Sequence, residues 1–218
     1  MYKLLSYILS EQTPLYGDIA PIKIRHNKNM ANNDTSNRAT ITFCNHSGTH
    51  IDAPKHFYKD GKAIGEYSIE ELIFHKPQII NCPKKENELV KTEELKGILD
   101  CDLLLIRTGF FKFRQSDIYR LNNPGISSFS AEWLRRKHPH IKAIGIDSIS
   151  VSSFPHREEG RRTHQILLAE QGYPGGPMLL IEDMDLSFNN GKLLKVYVVP
   201  LMLEGVDSMP CSVIGEYE

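Results

Sequence analysis

Three histidines and one aspartate lie within eleven residues, in the stretch from His46 to His56. Imidazole and carboxylate groups together are ligands for zinc, manganese, iron or nickel, and a stretch without thiolate ligands argues against a zinc-finger type of site. A catalytic metal needs about three protein ligands and one open position. We therefore expect His46, His50 and Asp52 to bind a metal, and His56 to remain free for proton transfer.

The backbone of this stretch must bend for the side chains to meet. In an extended chain all four side chains could project from one face, but His46 and His56 would then be separated by roughly 33 Å. Gly48 permits unusual backbone angles, and Pro54 keeps Ala53 out of the helical region. The sequence therefore predicts an extended segment with bends at Gly48 and Pro54.

Length and composition are those of an ordinary soluble globular protein. With 218 residues, we expect residues 1–218 to form a single domain. A net charge of −1 gives no reason to expect nucleic acid or an anionic membrane as a partner, and no apolar run is long enough to span a bilayer. The apolar residues near the amino terminus are too few for a signal peptide. Four scattered cysteines fit reduced thiols in the cytoplasm.

Apolar and β-branched runs alternate with stretches of helix formers, which predicts an α/β fold. The predicted strands are residues 4–9, 22–25, 39–44, 78–82, 103–107, 143–147 and 195–203. The predicted helices are residues 92–99, 130–137 and 162–171, with Ser130 as a cap of the second. We expect residues 27–37 to form a surface loop, and residues 174–177, Pro-Gly-Gly-Pro, to form a turn into a strand over 178–181.

The stretch from His46 to His56 agrees at all seven fixed positions with the pattern His-x-Gly-Thr-His-x-Asp-x-Pro-x-His. Seven matching letters arise by chance on the order of once in a billion trials. The pattern marks the cyclase family of metal-dependent hydrolases, which includes bacterial kynurenine formamidases and isatin hydrolases, and the chain resembles that family. Weaker similarity covers residues 9–18, 105–110, 145–150 and 200–210. The resemblance implies a swivelling β/β/α domain and a homodimer or larger homo-oligomer.

The resemblance also implies roles for individual residues. His46 and His50 would bind one metal ion, Asp52 could bridge two, and His56 would donate and accept protons. Zinc is the first expectation and manganese the second, with one or two ions bound. Tyr16 stands where the kynurenine formamidases carry a tryptophan that contacts the aromatic substrate. Tyrosine could still stack on an aromatic ring, so Tyr16 is the predicted substrate-binding residue, with an ordinary packing role as the alternative. The departure from tryptophan weakens the assignment of N-formylkynurenine as the substrate.

Two further ligands are implied beyond the motif. His164 resembles the distal histidine of the family, and Glu182 resembles its metal-bridging carboxylate. The interval between them exceeds that expected for the formamidases, so His156 and Glu170 remain alternatives for the two positions.

These residues predict a hydrolase that cleaves a small amide, formamide or lactam with a metal-activated water, in the manner of an arylformamidase. A hydrolase of cyclic amides such as isatin would share the metal site and differ in its pocket. A module that binds metal or ligand without turnover is the alternative outside the enzymes, although the intact His56 argues against it.

Overall fold

The computed structural model describes residues 1–188 and 190–218. Its strands are β1 (Tyr2–Leu4), β2 (Lys23–Lys28), β3 (Arg38–Thr42), β4 (His50–Asp52), β5 (Ile73–Phe74), β6 (Pro77–Asn81), β7 (Leu89–Val90), β8 (Leu103–Arg107), β9 (Gly125–Ile126), β10 (Ala143–Ile146), β11 (Leu179–Glu182), β12 (Leu193–Pro200) and β13 (Ser208–Tyr217). The α-helices are α1 (Asp117–Leu121), α2 (Ser128–Lys137) and α3 (Arg157–Leu168). No helix in the described part of the chain is both long and apolar enough to cross a membrane.

One large mixed sheet organises the fold. Its strand order is β5, β12, β13, β4, β11, β10, β8, β6, and β1 also pairs with β13. Strands β6, β8, β10 and β11 run parallel, whereas β4, β5, β12 and β13 join by antiparallel pairing. Strand β12 also lies close to β6, so the sheet curls on itself. The β2–β3 and β7–β9 pairs form two smaller sheets.

The core lies on both faces of this sheet. Alternate residues of β8 face opposite sides: Leu104 and Ile106 contact the apolar side of α2 and α3, while Leu103 and Leu105 join the cluster built on β12 and β13. Strands buried on both faces are nearly continuous apolar runs, as parallel strands covered by helices usually are. The predicted α/β class is confirmed.

Most predicted strands are present with small shifts in their ends. The predictions for residues 22–25, 39–44, 78–82, 103–107 and 143–147 correspond to β2, β3, β6, β8 and β10, and the predicted turn at 174–177 leads into β11. The strand predicted at 195–203 stops at Pro200. The strand predicted at 4–9 is wrong, because β1 ends at Leu4 and beyond it only Ser6 makes an isolated bridge, with Met184.

The helix predictions need three corrections. Residues 92–99 form only a 3₁₀ turn, Thr92–Leu95, because Lys96 is extended and Gly97 has a φ of 96°. Ser127, not Ser130, caps α2, since its side chain accepts a hydrogen bond from the Ser130 backbone N–H. The third helix begins five residues before the prediction, at Arg157, and ends at Leu168. The predicted loop over 27–37 contains the end of β2 and a 3₁₀ turn, Met30–Asn32.

Helix α3 packs closely against the loop that follows β10, and Gly160 is the point of contact. A Cβ added at Gly160 would overlap the Ser152 side chain, with the Ser152 Cβ at 2.5 Å. We expect Gly160→Ala to lower the free energy of unfolding by about 1–3 kcal/mol, because the overlap outweighs the better helix propensity of alanine. Urea denaturation followed by circular dichroism measures this. Gly176→Ala, where an added Cβ meets nothing within 4 Å, is the control, and equal effects of the two changes would contradict the prediction.

Candidate metal centre

The two bends predicted in the motif are present. Gly48 has a φ of 65°, which places it in the left-handed region, and an added Cβ there would overlap the Leu9 side chain. Strand β4 follows, inserted between β11 and β13, and Pro54 then begins a 3₁₀ turn, Pro54–His56. The turn brings the His56 ring within 4.3 Å of the His46 ring, measured between centroids.

Two buried histidines, His50 and His164, present the same nitrogen to the centre of the site. The Nδ1 of His50 lies 2.8 Å from the Gly48 carbonyl oxygen, and the Nδ1 of His164 lies 2.9 Å from the Gly160 carbonyl oxygen. Because carbonyl oxygens only accept, Nδ1 carries the proton in both rings. The Nε2 lone pairs are thereby left to face inward, the orientation that backbone partners commonly give to metal-binding histidines.

The carboxylates of Asp52 and Glu182 meet these nitrogens. The Glu182 Oε1 atom accepts hydrogen bonds from the Ser150 hydroxyl (2.8 Å) and the Val151 backbone N–H (2.7 Å), which fixes its direction. Asp52 is buried, and among the described residues neither of its carboxylate oxygens accepts a hydrogen bond of good geometry, although His46 Nδ1 lies 3.1 Å from Oδ1. Buried polar atoms are rarely left without a partner, so these oxygens indicate a missing positive group.

The spacing of these atoms fits a cation between them. The Nε2 atom of His50 lies 3.5 Å from both Asp52 Oδ1 and Glu182 Oε2, and the Nε2 atom of His164 lies 3.4 Å from Glu182 Oε1. These separations exceed ordinary hydrogen-bond lengths. Two ligand atoms about 2.0–2.1 Å from one tetrahedral ion are separated by roughly 3.4 Å. The arrangement therefore matches nitrogen and oxygen ligands around an ion.

Electrostatics supports the same conclusion. Burial disfavours the ionised form of Asp52, but His46 and His50 hold the pKa of that carboxyl well below its usual range. Burial also disfavours protonation of His46, yet the Asp52 and Asp207 carboxylates raise its pKa to about 11. Likewise, burial opposes protonation of His164, while Glu182 raises the pKa of that ring. The buried carboxylates thus favour positive charge on the groups around them.

Asp207 joins two of the predicted site residues and was not itself predicted. Its Oδ2 atom lies 3.0 Å from His46 Nε2 and 2.7 Å from His56 Nδ1. Burial would raise the pKa of Asp207, but these two imidazoles hold it well below its usual range. An ionised carboxylate only accepts, so both nitrogens donate. Asp207 thereby directs His46 Nδ1 toward Asp52, 3.1 Å away, and leaves His56 Nε2 free.

We expect Asp207→Asn to reduce either metal affinity or kcat by about 10- to 100-fold, the usual cost of losing a carboxylate that orients a metal ligand. The amide keeps the shape of the side chain, but it cannot accept from both rings with the strength of a carboxylate. Metal titration and steady-state kinetics measure the two effects. Asp185→Asn, a partly buried aspartate whose carboxylate accepts from the Ser187 backbone N–H and contacts neither imidazole, is the control. Unchanged metal affinity and kcat in Asp207→Asn would contradict the assignment.

A pocket of about 510 Å³ contains the six predicted metal and catalytic residues. Its lining includes His46, His50, Asp52, His56, His164 and Glu182. Tyr16 lies in the same lining, with its ring packed edge-on against Phe154 at 5.4 Å between centroids. Burial is the main cause that raises the pKa of Tyr16 to about 12, so its hydroxyl is neutral at physiological pH. Its predicted contact with substrate remains a prediction.

The two alternative ligands lie elsewhere. His156 is exposed, and its Nε2 atom lies 3.2 Å from the Asn87 carbonyl oxygen. Glu170 is exposed after the end of α3, where its carboxylate lies 3.4 Å from the Lys62 backbone nitrogen. Neither residue lines the metal pocket, so the geometry favours His164 and Glu182.

A buried network supports the strand that carries Glu182. The next residue, Asp183, has a φ of 52° and accepts hydrogen bonds from Arg114 Nε (2.9 Å) and the Tyr119 hydroxyl (2.6 Å). The Thr49 hydroxyl donates to the Asp183 carbonyl oxygen at 2.5 Å and accepts from the Tyr7 backbone N–H. Thr49 thus links the stretch from His46 to His56 to the residue that follows β11.

Comparison with known proteins gives the family. The Cyclase family model matches residues 4–153, and a kynurenine formamidase from Geobacillus thermodenitrificans is 30% identical over 156 residues, which cover 71% of each chain. Cyclase-like protein 2 of Oryza sativa subsp. japonica is 24% identical over 96% of this chain and 77% of its own. The structure of isatin hydrolase A from Labrenzia aggregata, bound to benzyl benzoate, covers 99% of this chain and 93% of its own, with a TM-score of 0.81 and 18% identity. The sequence resemblance is confirmed, as is the cyclase type of fold, and the chain belongs to the cyclase family.

Proposed function

We propose that this protein is a metal-dependent hydrolase that cleaves a small, non-peptide amide, formamide or lactam. The observation that carries the proposal is the buried Asp52 carboxylate, whose oxygens accept no hydrogen bond of good geometry and lie 3.5 Å and 3.9 Å from the inward Nε2 atoms of His50 and His164. The kynurenine formamidase of G. thermodenitrificans and the isatin hydrolase of L. aggregata support it, because their names describe hydrolysis of a formamide and of a lactam.

His50, His164, Asp52 and Glu182 would hold the metal, and His46 extends the site beyond Asp52. Two overlapping ligand groups, His46–Asp52–His56 and His50–Asp52–Glu182, share Asp52, so the proposal includes one or two ions. Zinc is the first choice and manganese the second, since both accept imidazole and carboxylate ligands. A bound divalent ion would lower the pKa of water and polarise the substrate carbonyl.

His56 would move the protons of the reaction. Its Nδ1–H is held by Asp207 at 2.7 Å, so Nε2 can accept the proton that water loses as its oxygen attacks the carbonyl carbon. The same nitrogen returns that proton to the departing nitrogen when the C–N bond breaks, leaving an amine and a carboxylic acid. An imidazole suits both transfers, because its ordinary pKa lies near neutral pH.

The pocket walls favour an aromatic substrate. Tyr16 and Phe57 line the pocket, and Phe57 stacks on the His164 ring with centroids 5.1 Å apart. Flat apolar walls beside a polar centre suit an aryl group attached to the scissile amide. An arylformamidase-like activity is therefore the first proposal, and hydrolysis of a cyclic amide such as isatin is the second.

The experiment that tests the function is removal and restoration of the metal. The protein is stripped with a chelator, reloaded with zinc or manganese, and assayed with N-formylkynurenine and isatin. We expect turnover to vanish on stripping and to return with the metal. Bound metal without turnover on a wider panel of amides, formamides, lactams and lactones would support the non-catalytic alternative, and failure to bind metal would overturn the proposal.

The proposal also includes assembly of the protein into a homo-oligomer. The β2–β3 hairpin is mostly exposed on both strands, and an isolated hairpin is only marginally stable in water, which favours a homodimer or larger homo-oligomer of single-domain chains. Light scattering of the purified protein tests this, and a monomer mass would refute it.

The four cysteines are free thiols, as expected in the cytoplasm, and a small molecule remains the expected partner.

A further inference from the structure

The last turn of helix α3, which contains His164, is held by a buried arginine of helix α2. The last four carbonyl groups of an α-helix have no partner within the helix. The Nη1 atom of Arg135 donates to two of them, the Ile166 carbonyl oxygen at 3.2 Å and the Leu167 carbonyl oxygen at 2.6 Å. His164 lies two residues before Ile166. These hydrogen bonds therefore fix the turn that carries the proposed metal ligand.

The Arg135 guanidinium is committed to this contact. Arg135 is fully buried, and within the described residues its Nε and Nη2 atoms have no hydrogen-bond partner. Burial lowers the pKa of Arg135, and in the described part of the chain no carboxylate acts against that effect. A buried cation without a counter-ion is costly. The partial negative charge at the carboxyl end of α3 offsets this cost, so the guanidinium and the helix end stabilise each other in this arrangement.

A second contact links the same turn to the motif segment. Tyr58 lies two residues after His56, and its hydroxyl donates to the Gln165 carbonyl oxygen at 2.6 Å. The end of α3 is thus joined to α2 by Arg135 and to the segment that carries the proposed proton-transfer group by Tyr58.

Neither side chain reaches the metal pocket itself. Arg135 and Tyr58 lie outside the described lining of that pocket, so they can act on the site only through the backbone of α3. The affinity of a metal is reduced by the fraction of molecules in which all ligands are in place. A mobile last turn would therefore weaken metal binding even though His164 and every other proposed ligand remained in the protein.

We propose that Arg135, assisted by Tyr58, is a positioning residue that holds the last turn of α3 and thereby keeps His164 in place for metal binding. This inference rests on the proposed function and deepens it, because it names two residues outside the pocket that control the metal affinity of the site.

Zinc affinity and the spectrum of cobalt-substituted protein test the inference. Arg135→Met removes the donors and keeps an unbranched side chain, and Tyr58→Phe removes only the hydroxyl. Each is expected to weaken zinc binding about tenfold, the result if His164 were correctly placed in roughly a tenth of the molecules. The visible absorption of bound cobalt depends on its coordination geometry and should change in the same variants. Arg135→Lys, which keeps the charge without the planar fork, should give an intermediate affinity.

Ser130→Ala is the matched control. Ser130 is buried on the same helix, and its hydroxyl donates to the Val90 carbonyl oxygen at 3.0 Å, so its loss should lower stability without disturbing the end of α3. Zinc affinity and cobalt absorption should equal those of the wild type. If Arg135→Met and Tyr58→Phe lowered only the melting temperature, as Ser130→Ala should, their role would be structural and the inference would be overturned.

Hydrogen–deuterium exchange of the metal-free protein separates this inference from the proposed function. The amides of residues 164–168 should exchange about tenfold faster in Arg135→Met and Tyr58→Phe, and at the wild-type rate in Ser130→Ala. If wild-type protein bound no zinc, the proposed function would fail, but faster exchange confined to this turn would still support the hold on α3. Tyr58 is 37% exposed, so Tyr58→Phe decides the matter if Arg135→Met does not fold. Wild-type exchange rates in the folded variants would overturn the inference.

Discussion

His56→Ala is expected to reduce kcat by about 10²–10⁴-fold, the usual contribution of a positioned acid–base group, while metal binding is retained. The expectation follows from the hydrogen bond between His56 Nδ1 and Asp207, which leaves Nε2 facing the pocket. In the proposed site the metal would be held chiefly by His50, His164 and the two buried carboxylates, so the metal stoichiometry should change little. Single-turnover kinetics and metal analysis on the same sample measure both quantities.

His156→Ala is the matched control, because this exposed histidine makes one hydrogen-bond contact with the Asn87 carbonyl oxygen, away from the pocket. It should leave kcat and metal content unchanged. A His56→Ala enzyme with wild-type kcat would refute the proton-transfer role. A variant that lost its metal along with its activity would instead place His56 among the ligands, a geometry that the His46–Asp52–His56 group also allows.

The parallel strands at the centre of the sheet could be predicted from the sequence because strands buried on both faces are continuous apolar runs. Strand β8 is apolar at four consecutive positions, and its pattern needs no knowledge of its neighbours. Strand β13 shows the opposite case. It is the longest strand described, yet Pro210 and Gly215 interrupt its apolar pattern, and sequence reasoning assigns such residues to strand edges or breaks. Its position between β4 and β12 is set by pairing with distant segments.

The same contrast explains which parts of the site the sequence indicated. The motif residues lie within one short stretch, so their chemistry was visible, and the bends at Gly48 and Pro54 followed from local backbone rules. Asp207 lies 151 residues from His56. It reaches the site because Ser208 pairs with Asp52 and the Ala53 N–H donates to the Asp207 carbonyl oxygen. Such pairing between distant segments depends on the tertiary fold and cannot be deduced from local sequence. Only the weak family similarity at residues 200–210 pointed to this segment.

Strand register also explains how the two residues proposed as distal ligands, His164 and Glu182, come close to the motif. On the other side of β4, Glu182 pairs with His50, so the last residue of β11 lies directly beside a motif ligand. His164 approaches from α3, which connects β10 to β11 across one face of the sheet. Ligands at the carboxyl end of parallel strands are typical of α/β folds. The long interval between His164 and Glu182 is accommodated by the loop at residues 174–177 and leaves both side chains in the pocket.

Asp52→Asn is expected to have the largest effect on activity. Asp52 is shared by both candidate ligand groups, and in the described protein its two oxygens accept no hydrogen bond of good geometry. Asparagine keeps the shape of the side chain but removes the negative charge and replaces one oxygen with a donor nitrogen. We expect metal to be lost on gel filtration and hydrolysis to fall by more than about 10⁴-fold, since water without a metal has a pKa near 15.7 instead of about 7.

Two measurements distinguish loss of metal binding from loss of folding in Asp52→Asn. Because asparagine is nearly isosteric with aspartate, the far-ultraviolet circular dichroism of Asp52→Asn should match that of metal-free wild-type protein. Added zinc should raise the melting temperature of the wild type but not that of Asp52→Asn. The exposed Asp60 lies eight residues further along the chain, and Asp60→Asn should retain both the metal and the thermal response. If Asp52→Asn bound zinc as tightly as Asp60→Asn, then Asp52 would not be a metal ligand. The buried carboxylate would in that case serve only to pair with His46, whose Nδ1 atom lies 3.1 Å away.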